Sequence, residues 1–409
     1  MSESLVSATE RSERQRALRS LLARPLLTAH GPYAGEVTLI RRHAAWLRQW
    51  LTRYPGWSLQ IDGEVARLRK TPADLNDATR PAREPKEDLA FSRRRYVLFC
   101  LALAALERSD RQTALGRLAT DLIDLVSADP ALAAAGIVFD LASHDQRRDL
   151  VQVARLLLDL EILIRIHGSE QQYLDDRGDV LYNVNRPALS AVLNVRRAPS
   201  SIEETDFARR LALIVDEPAP DTSEGRTRRL RTRLIRALLD DPVLYYEGLE
   251  PEANAYLAQQ RANLTRQISD ATGLVPEMRR EGIAMVDDRG DVTDIGLPEE
   301  GTEGHLTLLI AEFLAGHARR APGGAVSLTS LYQRTRRLVG EHRQHWRKSV
   351  TQPGAETAVT EATIDRLVAL RLAVRSIDGV VPLPAIARYA LATPIEARAR
   401  ATHRRASEA

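Results

Sequence analysis

Hydrophobic positions recur along this chain at helical spacing, and a short alternating stretch with a glycine in its turn repeatedly follows them. In residues 36–53, Leu39, Ala44, Leu47 and Leu51 fall near one helical face, and Tyr54-Pro55-Gly56 ends the helix. A hairpin is expected next, turning at Asp62-Gly63. It sets Trp57, Leu59, Ile61, Ala66 and Leu68 on a packing face and Ser58, Gln60, Arg67 and Arg69 on a wet one.

The fullest version of the pattern comes second. Helices are predicted over residues 93–107, 113–126 and 147–166, then a hairpin over 173–184 turning at Arg177-Gly178. Three helices closed by a β-hairpin make a winged helix. A last unit repeats it, with helices over 303–318, 327–345 and 360–370 and a turn at Asp378-Gly379. Ser327 and Thr360 are its N-caps, and Leu372, Val374, Val381 and Leu383 line one hairpin face. The turn sequence of residues 175–180 recurs letter for letter at 287–292, where a fourth hairpin is expected.

Residues 251–272 read as one long polar-rich helix with Leu257, Leu264 and Ile268 as a narrow stripe, and residues 198–204 and 216–226 as breaks. The fold class expected is mainly α with small β-hairpins (α+β), in tandem winged-helix units. The predicted organisation is an N-terminal helical region with a hairpin (1–70), a proline-rich linker (71–90), a first winged-helix domain (91–200), a connecting region (201–300), a second winged-helix domain (301–392) and a tail (393–409).

Composition narrows the class. Of the residues, 44% are hydrophobic and 28% charged, the balance of a folded globular chain. The single cysteine, Cys100, sits in an apolar run and is expected to be buried; internal disulfides are impossible and a reducing, cytoplasmic setting fits. The first twenty residues lack the apolar core of an export signal. The most apolar segment, 150–166, carries Arg155, Asp159, Glu161 and Arg165, so it is expected to be a core helix and not a membrane span.

Reactive constellations are missing from the pattern. Lys70, Lys86 and Lys348 follow Arg69, Pro85 and Arg347, which rules out a Walker-type phosphate loop. Neither a dinucleotide-binding glycine motif nor a nucleophile elbow appears. His342 and His345 lack a third ligand and are read as surface residues, and the pairs Asp240/Asp241 and Asp287/Asp288 as turn or helix-end aspartates. No cofactor or metal is expected.

Arginine supplies nearly all the positive charge, with a net of only +3. It clusters at Arg93–Arg95, at Arg147-Arg148, along 226–233, and along 334–348. Cations at the start of a helix oppose its dipole, so the first two clusters require a phosphate or a nearby carboxylate. The DNA-contact candidates are Arg334, Arg336, Arg337, Arg343, Arg347 and Lys348, interleaved with Tyr332 and Trp346, together with Arg228, Arg229 and Arg231. Hydrophobic residues on nearly every face of segment 150–166 suggest a homodimer through Leu150, Val153, Leu157, Leu160 and Ile164, with burial in a larger core as the alternative.

Four stretches carry a family resemblance: RQRALRSLLARPLL (residues 14–27), RRYVLFCLALAALERSDRQTALGRLA (94–119), DQRRDLVQVARLLLDLEIL (145–163) and GDVLYNVNR (178–186). They resemble the KITE-type subunit of Wadjet plasmid-defence complexes, a class of MukE-like tandem winged-helix proteins. The resemblance implies a non-catalytic protein that dimerises, binds a kleisin, and through it works with an SMC-type ATPase and a topoisomerase-like nuclease on double-stranded plasmid DNA. No membrane partner is implied. This chain is longer than compact members of that class, before residue 90 and around 205–300. The competing expectations are a stand-alone winged-helix regulator reading an operator, and a nuclease.

Overall fold

The computed structural model describes residues 2–84, 89–192, 198–215, 220–352 and 354–390. The expected tail 393–409 and the linker residues Pro85 and Lys86 lie outside these. The chain divides into two compact units, one of residues up to Arg236 plus Gln267–Gly273, the other of Ala237–Arg266 plus the residues from Leu274 on.

The first unit opens with α1 (Ser2–Ala23), β1 (Leu26–Thr28), α2 (Ala34–Arg42), α3 (Ala44–Arg53), β2 (Ser58–Ile61) and β3 (Val65–Arg69), whose strands form a sheet ordered β1-β3-β2. The same sequence of elements follows: α4 (Arg93–Arg108), β4 (Gln112–Ala114), α5 (Leu115–Ala128), the short α6 (Pro130–Ala134), α7 (His144–Asp159), β5 (Leu163–His167), α8 (Glu170–Leu174) and β6 (Leu181–Val184). Its sheet is ordered β4-β6-β5. α9 (Arg186–Val192) and α10 (Phe207–Val215) come next, then most of α11 (Ser223–Asp240).

The second unit contains β7 (Leu244–Tyr245), most of α12 (Pro251–Thr272), β8 (Val275–Met278) and β9 (Gly282–Val286), in the order β7-β9-β8. It ends with α13 (Gly301–Arg320), α14 (Leu328–His342), α15 (Ala355–Ala369), β10 (Ala373–Ser376) and β11 (Gly379–Pro382), where a Val326↔Val380 bridge replaces the first strand. Each sheet thus has its last strand in the middle and the second at the edge. Four tandem winged-helix-like repeats emerge where the sequence displayed three and a hairpin. In the third, the single helix α12 stands where the other repeats use two.

A shared turn closes each repeat's last helix. Gly56, Glu161, Gly273 and Arg371 all have φ between 52° and 76°, and each precedes the second strand. After α7 and α15 this is a Schellman-type cap: Ile162 N–H donates to Leu157 O and Leu372 N–H to Leu367 O, both at 2.9 Å. Leu157-x-x-Leu160-x-Ile162 and Leu367-x-x-Leu370-x-Leu372 carry the same apolar pattern, because the cap needs one apolar residue before and one after the left-handed position.

This cap corrects one expectation. The helix predicted to run to Ile166 ends at Asp159, and Leu163–His167 pair with β6 through Leu163↔Val184 and Ile164↔Asn183. β-branched Ile164 and Ile166 suit a strand once Glu161 has turned the chain. The expected hairpin over 173–184 is instead this pairing, with α8 in the connection. Residues 287–292 differ in setting from their copy: residues 175–180 lead into β6, whereas 287–292 follow β9, and the β8–β9 hairpin turns at 279–281. Helix 36–53 breaks at His43 into α2 and α3.

Both turns shift by one residue; the first hairpin keeps its predicted faces and the last does not. Asp62 N–H donates to Val65 O (3.0 Å), so Gly63-Glu64 form the loop and Leu59 stands opposite Leu68. A two-residue change of register leaves the side-chain alternation intact. At the last hairpin, Ser376 pairs with Gly379 around Ile377-Asp378. Gly379, at φ 132°, admits Val326 O to 2.2 Å from where a Cβ would stand. There Ala373 and Val380 face the core, while Val374 of the predicted face is exposed. Cys100 is exposed, not buried.

Candidate nucleic-acid and protein interfaces

Of the arginines at the start of α4 and α7, Arg94, Arg95, Arg147 and Arg148 are held by carboxylates, while Arg93 is exposed. Arg95 Nε donates to Asp149 Oδ1 (2.6 Å) and Arg94 Nε to Asp149 Oδ2 (2.6 Å). Arg95 also pairs with Glu84 (2.6 Å), which accepts from Arg148 (2.9 Å) and Gln152 (3.0 Å). Glu84 and Asp149 are buried. Burial pushes the Glu84 carboxyl up, but hydrogen bonds and charge from Arg148 and Arg95 outweigh it and hold the group below the usual carboxylate range. The segment expected to be a solvated linker therefore straps itself onto α4 and α7, aided by an Arg83↔Ala90 bridge. Arg147 pairs with Asp176 (2.6 Å).

The dimer candidates are corrected in the same way. Leu150, Val153 and Leu157 are fully buried in the core formed with Leu98, Leu106, Leu118, Leu122 and Tyr182, and Leu160 packs against it. A third helix sunk into its own repeat has no face left for a second copy. Only Ile164 remains exposed, on β5.

The basic candidates of the last repeat separate into two groups. Arg336 pairs with Glu356 (2.6 Å), Arg347 with Glu303, and Arg334 lies over the Phe313 ring. Arg337, Arg343 and Lys348 are exposed and form no ion pair with a described residue. The helix in the recognition position, α15, bears Glu356, Glu361 and Asp365 against Arg366 alone. Its carboxylates are tied down: Glu356 is lowered by its hydrogen bond from Arg336, and Glu361 by the Tyr332 hydroxyl, then by Arg375, against burial. A phosphate backbone gains nothing from such a helix.

Between α14 and α15, Trp346 Nε1 donates to His305 Nδ1 (3.2 Å), and His342 stacks on Trp346 with ring centroids 5.3 Å apart. His342 is thus a half-buried packing residue, while His345 is exposed. No group of three or more metal-ligating side chains lies among the described residues. Asp241 pairs with Arg371 (2.8 Å), and Asp287 accepts from the Arg289 and Val292 amides, which are the structural uses expected of them. On α11, Arg229 lies 3.9 Å from Asp221, Arg231 is half-buried, and Arg228 is exposed.

One basic face escaped the sequence reading. α3 exposes Arg48, Gln49, Thr52 and Arg53 and contains no acidic residue. Arg48 leans on its own hairpin, donating to Leu59 O (3.4 Å). The break at His43 was the missing signal, since it makes α3 the third helix of a repeat. No helix among the described residues is long and apolar enough to cross a membrane. Compared with known proteins, residues 18–392 match the model of one family, described as a protein of unknown function, DUF2398. No curated protein and no solved structure matches the chain.

Proposed function

We propose that this chain, which belongs to the DUF2398 family, is a non-catalytic, cytoplasmic KITE-like subunit of a Wadjet-type antiplasmid complex. In this reading it binds a kleisin, reaches an SMC-type ATPase through it, and supports engagement of double-stranded DNA. The observation that carries the reading is the state of the third helices. Four winged-helix repeats stand in tandem, yet α7 is sunk in its core and α15 carries mainly carboxylates. Repeats that have given up base reading serve as protein-binding modules. DNA contact is then left to exposed cations that track phosphates without reading sequence: Arg48 and Arg53 on α3, and Arg337, Arg343 and Lys348.

Fluorescence anisotropy with the purified chain tests this against a lone regulator. The expected result is weak binding, equal on unrelated duplexes, that falls steeply with salt. Tight binding to one duplex and not to others overturns it in favour of operator recognition.

A further inference from the structure

Among the described residues the first unit leaves one helix and one sheet face only partly covered. α10 has the strongest apolar stripe of its size, with Phe207, Leu211 and Ile214 at i, i+4 and i+7, yet none of its residues is buried and Phe207 is 78% exposed. Nine residues are too few for a helix to persist in water unaided. Something must cover the stripe.

The second sheet offers the matching surface. Its core face is taken by Leu163, Tyr182 and Val184. On the outer face Ile164 stands opposite Asn183, which accepts from the Gln112 amide (3.1 Å), and Ile164 and Ile166 are 45% and 44% exposed. The first sheet shows how such a face is finished: α9 packs on β1 and β3, and Arg67 of the outer face donates to Val192 O (3.2 Å) at that helix's end. Burial there pushes the Arg67 guanidinium pKa down. Among the described residues no such helix lies on the second sheet, and α10 is the next helix in the chain.

We propose that α10 of one copy covers the outer face of the β4-β6-β5 sheet of a second copy, and reciprocally, in a two-fold homodimer. Charge favours the match. Glu203, Glu204 and Asp206 precede the stripe, while exposed Arg111 and His167 flank Ile164 and Ile166, and Arg165, opposite Tyr182, is paired with Glu170. Two symmetric contacts, each with three large side chains of the helix on two of the sheet, bury on the order of 800 Å² in total, the size of a weak dimer. The inference names the surface for the dimer that the KITE-like reading contains, and it stands or falls without any kleisin present.

Sedimentation of the purified full chain at 1–100 µM (roughly the range of a micromolar dimer) provides the test. The wild type is expected to dimerise. Phe207→Glu with Leu211→Glu, and separately Ile164→Glu with Ile166→Glu, weaken it by roughly 100-fold with unchanged circular dichroism. A monomeric wild type, or a dimer that survives either pair, overturns the proposal. In a Cys100→Ser background, Phe207→Cys with Ile164→Cys is expected to give a disulfide-linked dimer; an internal disulfide in a monomer overturns it too.

Discussion

Replacing Glu84 by glutamine removes one charge from a deeply buried ionic group of the first unit. The Glu84 side chain is 1% exposed and that of Arg95 10%, while Arg148 is 31% exposed and rehydrates more easily. Removing one partner of a buried pair costs about 3–5 kcal/mol. Arg95 keeps Asp149, so the low end, about 3 kcal/mol, applies. With a urea dependence of about 2–3 kcal/mol per molar, the midpoint of the first unit should fall by roughly 1 M. The second unit should not move. Urea unfolding followed by circular dichroism and by hydrogen exchange over residues 93–108 reads both, with Glu64→Gln as an exposed control expected within about 0.5 kcal/mol of wild type. A Glu84→Gln shift no larger than the control's would refute the claim that residues 82–84 are strapped to α4 and α7.

Arg337→Glu, Arg343→Glu and Lys348→Glu together should weaken DNA binding and reduce the slope of log affinity against log salt by about 2–3; an unchanged slope removes this face from the account. Arg336→Glu should instead act on stability, because it strips Glu356 of its partner, and a normal melting curve with lost DNA binding would contradict that. Gly379→Ala sets a methyl against Val326 O at a φ that side chains rarely adopt, so it should cost about 2 kcal/mol or more in the second unit; a neutral result would deny the bridge. The pKa values of Glu84, Glu356 and Glu361 are depressed on folding, so their contribution is fully present above the ordinary carboxylate range and is lost as pH falls below it through the depressed folded values. Stability should therefore drop on acidification, and Glu84→Gln should flatten that drop in the first unit.

Periodicity made most helices legible, and α12 has the bounds read from sequence, with Leu257, Leu264 and Ile268 buried as its stripe requires. The first hairpin was legible as a face more than as a turn, since alternation survives a two-residue slip, whereas the last buries Ala373 and Val380, on the face opposite to the one read. Segment 160–167 was not legible, because a left-handed non-glycine residue, Glu161, redirects the chain and helical spacing carries no mark of it. Charge misled for a related reason. Arg94, Arg95 and Arg148 look alike in sequence to Arg337 and Arg343, and only the distant Glu84 and the buried Asp149 tell them apart. Repeat one was legible as a helix and a hairpin but not as three helices, because of the break at His43, and repeat three as a hairpin alone, because the single helix α12 stands for two.

Light scattering on the chain co-expressed with the products of its neighbouring genes bears most directly on the KITE-like assignment. The account predicts a stoichiometric complex with a kleisin-type protein that survives size exclusion. A chain that elutes by itself from that mixture, with the kleisin-type protein folded and separate, would contradict it.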